Sequence, residues 1–141
     1  MTVTAPLTFD DAEYKRRYPT ADLFFASSAN GGKTWTQPVQ VNEVAKKAPE
    51  ALHWMAVAPS GEAHVAWLDM RSRDQSGQDI YYARLADGKV GQNHKVASTV
   101  CECCAPGVAV DANGNPFLTF REGGRQAKSR NLRAAFNRLW S

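Results

Sequence analysis

All three cysteines of this 141-residue chain fall within four consecutive residues, Cys101-Glu102-Cys103-Cys104. Three thiols this close can act together on a soft metal ion such as copper(I) or zinc, because thiolate is a polarisable donor that suits both. The same spacing leaves two other outcomes open. Cys101 and Cys104 can close a disulfide with Cys103 left free, as suits an exported protein, whereas a bridge between the adjacent Cys103 and Cys104 is strained. Alternatively, three reduced cysteines pack a crossing between elements as small hydrophobes. The two Cys-x-x-Cys pairs of a structural zinc site are absent.

The elements that must hold this cluster are strands. Ser28-Ala29-Asn30-Gly31-Gly32-Lys33-Thr34-Trp35 lies between an apolar run, Leu23-Phe24-Phe25-Ala26, and an alternating run, Pro38-Val39-Gln40-Val41-Asn42. Two strand-like runs joined through Asn-Gly-Gly predict a β-hairpin. Asn30 can bond its own backbone two residues on, and Gly31 and Gly32 can take positive φ without a Cβ clash. Ser28 and Thr34 offer hydroxyls that can tie the strand ends together. Trp35 is large and apolar, and a short hairpin alone cannot bury it.

Further along, strand-turn-strand content recurs. Ala56-Val57-Ala58-Pro59-Ser60-Gly61 is echoed by Ala109-Val110-Asp111-Ala112-Asn113-Gly114, 53 residues on. The alternating run Glu62 to Leu68 is followed by a polar loop, Asp69 to Gln78, and the strand Asp79 to Arg84. A degenerate turn, Ala86 to Lys89, and a last strand near His94 to Ala97 follow, which with the preceding run Leu52 to Ala58 makes four strands. Pro116 to Glu122 echoes His64 to Met70, and Asn131 to Phe136 echoes Asp79 to Arg84. A period in the fifties with this content is what propeller blades look like.

The octapeptide resembles the Asp-box, or bacterial neuraminidase repeat, Ser-x-Asp-x-Gly-x-Thr-Trp. Ser28, Gly32, Thr34 and Trp35 match it, and Asn30 stands where Asp is usual. The resemblance implies an all-β fold: an incomplete sialidase-like β-propeller of about two to three four-stranded antiparallel blades. Residues 1–20 form an N-terminal segment of little pattern, and residues 21–141 form the partial propeller. Its parts are the end of one blade (21–44), a full blade (50–98) and most of a third (105–138). Six blades are usual in such proteins, on the order of 300 residues at this period. The chain therefore reads as a truncated piece, or as one completed by its own copies. An open stack leaves apolar faces uncovered, and Trp54, Trp67, Tyr82 and Phe120 are those at risk.

In proteins of this kind the Asp-box is structural, and the active site lies on the opposite loop face. That face would carry Asp69, Arg71, Arg73 and Asp74 from one blade, Arg121 and Glu122 from the next, and Lys46, Lys47, His53 and the cysteines at the crossings. Sialidases bind the substrate carboxylate with three arginines and use a tyrosine–glutamate nucleophile with an aspartate acid/base. Planar guanidinium groups suit carboxylates because they donate two parallel bonds. Arg71, Arg121, Asp69 and Glu122 are thus the catalytic candidates. No motif transfers a role to any of them, and the Arg-Ile-Pro signature is absent. Salt bridges of the two arginines with Asp69, Asp74 or Glu122 are the simpler expectation. A similar Cys-x-Cys-Cys precedes the first strand of a blade in a subgroup of these propellers. His53, near the corresponding position one blade earlier, is a candidate fourth ligand to a metal on Cys101, Cys103 and Cys104.

The functional expectation is an Asp-box repeat protein resembling exo-α-sialidases, which are glycoside hydrolases, without activity in this piece alone. The alternative is a non-catalytic propeller module that binds a carbohydrate or other small ligand on its loop face, or copper(I) or zinc at the cysteines. Composition excludes other classes. The net charge is +3 and its basic residues, densest at Lys15-Arg16-Arg17, are not interleaved with aromatics, which argues against nucleic acid. No apolar run is long enough to span a membrane. The N-terminus has no basic segment followed by an apolar one, so the chain as given reads as cytoplasmic, although propellers of this kind are commonly exported.

Overall fold

The computed structural model describes residues 20–49, 52–72, 78–123 and 132–135. The expected N-terminal segment up to residue 19, Arg73, Asp74 and the end of the third repeat lie outside the described residues. The described residues are all-β, with no helix. In chain order the strands are β1 (Thr20–Ala21), β2 (Phe24–Phe25), β3 (Val39–Gln40), β4 (Ala48–Pro49), β5 (His53–Val57) and β6 (Ala63–Asp69). They continue with β7 (Asp79–Ala86), β8 (Lys89–Val90), β9 (His94–Ala97), β10 (Gly107–Val110), β11 (Pro116–Arg121) and β12 (Leu132–Ala135). All pairings are antiparallel: β1 with β4, β2 with β3, the sheet β5-β6-β7 with β8 and β9 both on the far side of β7, and β10-β11-β12.

The repeat holds at the level of hydrogen bonds. Ala56 pairs with His64 in one sheet and Ala109 with Phe117 in the other, a shift of 53 in both strands. The turn closes through Ala58 N–H to Glu62 O in one copy and Asp111 N–H to Asn115 O in the other. The first hairpin belongs to the same scheme: Phe24↔Gln40 and Phe25↔Val39 correspond to Tyr81↔Lys95 and Tyr82↔His94.

Three details differ from the sequence expectation. The fourth strand of the middle sheet is split into β8 and β9, because its register against β7 slips by one residue between Val90, opposite Leu85, and His94, opposite Tyr82. Asp87 and Gly88 (φ +52° and +71°) make the tight two-residue hairpin that leads into β8. That turn is well formed, not degenerate. In the first hairpin only two residue pairs form a ladder, since Pro38 has no N–H to donate beyond Phe25↔Val39. Pairing resumes one register later at Thr36 N–H to Ser27 O (2.9 Å). Between the first hairpin and the middle sheet, where no strand is expected, a short strand, β4, pairs with β1.

Burial explains the middle sheet. Every residue of β6 is buried, although its sequence alternates, because both faces of the sheet are covered. On one face Val65, Trp67, Tyr81, Ala83 and Leu85 pack with Val41 and Ala48, against Leu23 and Phe25 of the first hairpin. On the other, Ala66, Leu68, Ile80 and Tyr82 pack with Val100, Val108 and Leu118 of the following repeat. Trp67 and Tyr82 are thus fully buried and Phe120 half-buried, whereas Trp54 stays 56% exposed.

Inside this sheet His64 Nδ1 and the Tyr82 hydroxyl share a hydrogen bond of 2.7 Å, and His64 Nε2 has no hydrogen-bond partner among the described residues. His64 is therefore a core histidine, while His94 is half-buried. Burial holds the His64 pKa below its ordinary 6.5, with the nearby Glu62 charge opposing and Arg84 adding to the shift. Burial also pushes the Tyr82 phenol up to about 12. The unfolded chain takes up a proton at His64 as pH falls through 6.5, before the folded chain does. This contribution to stability is thus complete above that pH and is lost as pH falls through the lower folded value. Denaturant midpoints between pH 7 and 5 should fall more steeply for the wild type than for His64→Gln; equal slopes would contradict the assignment.

Candidate metal centre

The cysteines lie in the crossing from β9 to β10, and backbone bonds fix where that crossing runs. Thr99 takes a left-handed conformation (φ +56°), as does Lys46 (φ +54°) in the preceding crossing, 53 residues earlier. After each of these bends the chain passes the far end of the second strand of the next sheet. Lys47 O accepts from Met70 N–H (2.8 Å), and Thr99 O accepts from Gly123 N–H (3.2 Å). Cys101 N–H then donates to Arg121 O (2.9 Å), and Val100 bridges to Glu122. The approach is so close that a Cβ on Gly123 would lie 2.4 Å from the Val100 carbonyl carbon and oxygen. From Cys101 the chain turns tightly, with Cys104 N–H directed at Cys101 O (3.5 Å).

This turn gathers the three sulfurs. Cys101 Sγ is 2.9 Å from Cys104 Sγ and 3.5 Å from Cys103 Sγ, and Cys103 and Cys104 Sγ are 3.9 Å apart. Cys101 and Cys104 are half-buried and Cys103 is exposed. Sulfurs at the corners of a zinc tetrahedron, with bonds of about 2.3 Å, would stand about 3.8 Å apart. The 3.9 Å distance already fits, whereas the 3.5 Å and 2.9 Å distances must open to reach it. Arg121 extends its Nη1 to 3.9 Å from Cys104 Sγ. Burial, the largest influence on Cys101, pushes its thiol up. Hydrogen bonds from Cys104 and Cys103 and the Arg121 charge together outweigh it, so Cys101 ionises below the ordinary 9.0. Cys103 is pushed up to about 11 by its hydrogen bond to Cys101 and then by burial.

Among the described residues, the group of potential ligand atoms lying within 4.8 Å of one another comprises the three cysteines alone. His53 stands outside it. It is exposed on β5, paired with Trp67, at the start of the preceding sheet, whereas the cysteines lie past β9.

The catalytic candidates divide between two places 53 residues apart. Asp69, fully buried at the end of β6, accepts from Trp67 Nε1 (3.0 Å), Arg71 N–H (2.8 Å), Arg71 Nε (2.9 Å) and Arg71 Nη2 (2.8 Å). Arg71 Nη1 donates to Glu43 (2.8 Å), and its guanidinium lies 3.8 Å above the Tyr81 ring. Arg71 is thus tied down by a two-bond clasp, a second carboxylate and an aromatic face. Asp69 is one of the three expected partners; Glu43, 28 residues away in the preceding crossing, is not among them. Arg121 and Glu122 are exposed at the end of β11, beside the cysteines.

The residues of the octapeptide form one hydrogen-bond network. Ser28 Oγ accepts from Gly32 N–H (2.8 Å) and donates to Asn30 Oδ1 (3.0 Å). Asn30 Oδ1 accepts from Thr34 N–H (2.9 Å), Asn30 Nδ2 donates to Thr34 Oγ1 (2.9 Å), and Trp35 Nε1 donates to Gly32 O (3.1 Å). Asn30 thus accepts through Oδ1 and donates through Nδ2. Trp35 is 64% exposed: its indole is held on the turn by that bond rather than in a core. No protein-family model matches this chain, and none of the curated proteins compared with it is a match.

Proposed function

We propose that this chain is a run of β-propeller-type blades and that it works as a binding module, taking one soft metal ion, copper(I) or zinc, on Cys101, Cys103 and Cys104. The observation that carries the metal reading is the clustering of three sulfurs at 2.9 to 3.9 Å on a turn pinned by backbone bonds to β11. Three thiolates suit copper(I), and with zinc they leave one position for water or a ligand atom from a partner. Ionisation is part of binding, so the ion displaces protons and affinity rises with pH.

The blade reading is supported by pairings that recur after 53 residues from the middle sheet to the next and after 55 to 57 from the first hairpin to the middle sheet, and by two apolar clusters that pack these units on one another. Exposed Trp54 and Val57 on β5 are apolar surface that further blades or copies of the chain would cover. A sialidase-like reading of the loop face would require Arg71 to release Asp69 and Glu43 before it could clasp a substrate carboxylate. The binding module is therefore the reading favoured here.

The reduced chain should bind one zinc or copper(I) ion in competition with a chromophoric chelator, and the triple variant Cys101→Ser, Cys103→Ser, Cys104→Ser should bind none. Each single serine variant should lose more than the roughly 10–100-fold that removing an outer-sphere partner costs. Equal metal content in wild type and triple variant would overturn the proposal.

A further inference from the structure

We infer that Cys101 and Cys104 are a redox-active dithiol, that a small-molecule disulfide converts them to an intramolecular bridge while Cys103 remains a thiol, and that this bridge closes the metal site. The closing of the site rests on the metal reading above; the dithiol does not.

The geometry selects the pair. Cys101 and Cys104 sulfurs are the closest of the three, at 2.9 Å, and need to approach to about 2.05 Å to bond. Their backbones are already folded onto one another by the turn, and Cys101 is anchored to β11 through Arg121 O. The approach therefore asks for side-chain motion and no shift of the strands. The alternatives are poorer: Cys101 and Cys103 sulfurs are 3.5 Å apart across a single intervening residue, and Cys103 and Cys104 are 3.9 Å apart and adjacent in sequence, where a bridge is strained.

The chemistry balances with one co-reactant, a low-molecular-weight disulfide R–S–S–R. A thiolate of the pair attacks one of its sulfurs, forming a mixed disulfide, and R–S⁻ leaves and takes up a proton. The second cysteine loses its proton and attacks the protein sulfur of that mixed disulfide; the Cys101–Cys104 bond forms and a second R–SH is released. Two protein thiols are oxidised and one small disulfide is reduced to two thiols. The bridged sulfurs are no longer thiolates, so Cys103 is left as the sole thiolate donor of the trio and the soft-metal site is lost.

The test equilibrates the full chain in glutathione buffers of graded reduction potential, traps free thiols by alkylation, and reads mass and peptide linkage. Wild type and Cys103→Ser should each pass to a form about two mass units lighter before labelling, with the link mapped to Cys101–Cys104. Cys101→Ser and Cys104→Ser should keep both remaining thiols free across the same range. Three labelled thiols in the wild type at the most oxidising poise, or a link mapped to Cys103, would overturn the dithiol. The bridged wild type should take up no zinc at concentrations that saturate the reduced chain; equal uptake would overturn the closing of the site. A chain that forms the bridge yet binds no metal when reduced would support the dithiol and refute the metal reading and its closure. Far-ultraviolet circular dichroism on each variant separates these results from failure to fold.

Discussion

Replacing Asp69 by alanine should destabilise the chain by about 3 kcal/mol, the low end of what removing one partner of a buried ion pair costs. The low end applies because Arg71 keeps 14% of its side-chain surface in water, whereas Asp69 keeps none. Four donors converge on that carboxylate: the Trp67 indole, the Arg71 amide and two guanidinium nitrogens. Alanine would leave the buried indole N–H unsatisfied and the guanidinium with Glu43 alone. Glu43→Gln is the internal contrast. Glu43 is 51% exposed, and an exposed pair contributes no more than about 1 kcal/mol. Urea unfolding of both variants reads the difference. A loss below about 1 kcal/mol for Asp69→Ala would show that Arg71 is not held as described, and would free it for a ligand.

The second large effect is expected at Gly123. An added methyl would stand 2.4 Å from the Val100 carbonyl and 2.5 Å from the Cys101 nitrogen, all backbone atoms that no rotamer change can move. Gly123→Ala must push the 99–101 segment away from β11. It would strain the Thr99 and Cys101 bonds that pin the cysteine turn. Overpacking of this kind costs about 1–3 kcal/mol, and with backbone on both sides the upper end is expected. Zinc affinity should fall with it, on the order of 10–100-fold, since the ligands' support is disturbed while the ligands remain. Unchanged stability and affinity would mean that the crossing does not run against β11 in this way.

What could be read from the sequence was local or periodic. The octapeptide from Ser28 to Trp35 holds nearly all its hydrogen bonds within itself, so its residue types alone dictate the turn. The shift of 53 was legible because each repeat restates the same turn and strand chemistry, and it carried through to the cysteine crossing and Arg121 on one side of the fold. Long-range facts were not legible. Glu43 meets Arg71 only because the preceding crossing is stapled by Asn93, whose amide bonds Glu43 N–H and Val41 O across about fifty residues. His53 suggested a ligand because period alone cannot separate one crossing from the next. β6 reads as a half-buried strand, and its burial on both faces depends on the sheets that stack against it. Trp35 shows the opposite: a large indole calls for a core, yet a single bond to Gly32 O keeps it on an exposed turn.

Metal binding through the sulfurs of Cys101, Cys103 and Cys104 can be read from X-ray absorption at the zinc edge of the reduced, zinc-loaded chain. Three sulfur neighbours at about 2.3 Å are predicted, and they should vanish in the triple serine variant. A shell of nitrogen and oxygen alone at about 2.0–2.2 Å would contradict it, placing any bound zinc elsewhere on the chain and returning the three cysteines to a packing role.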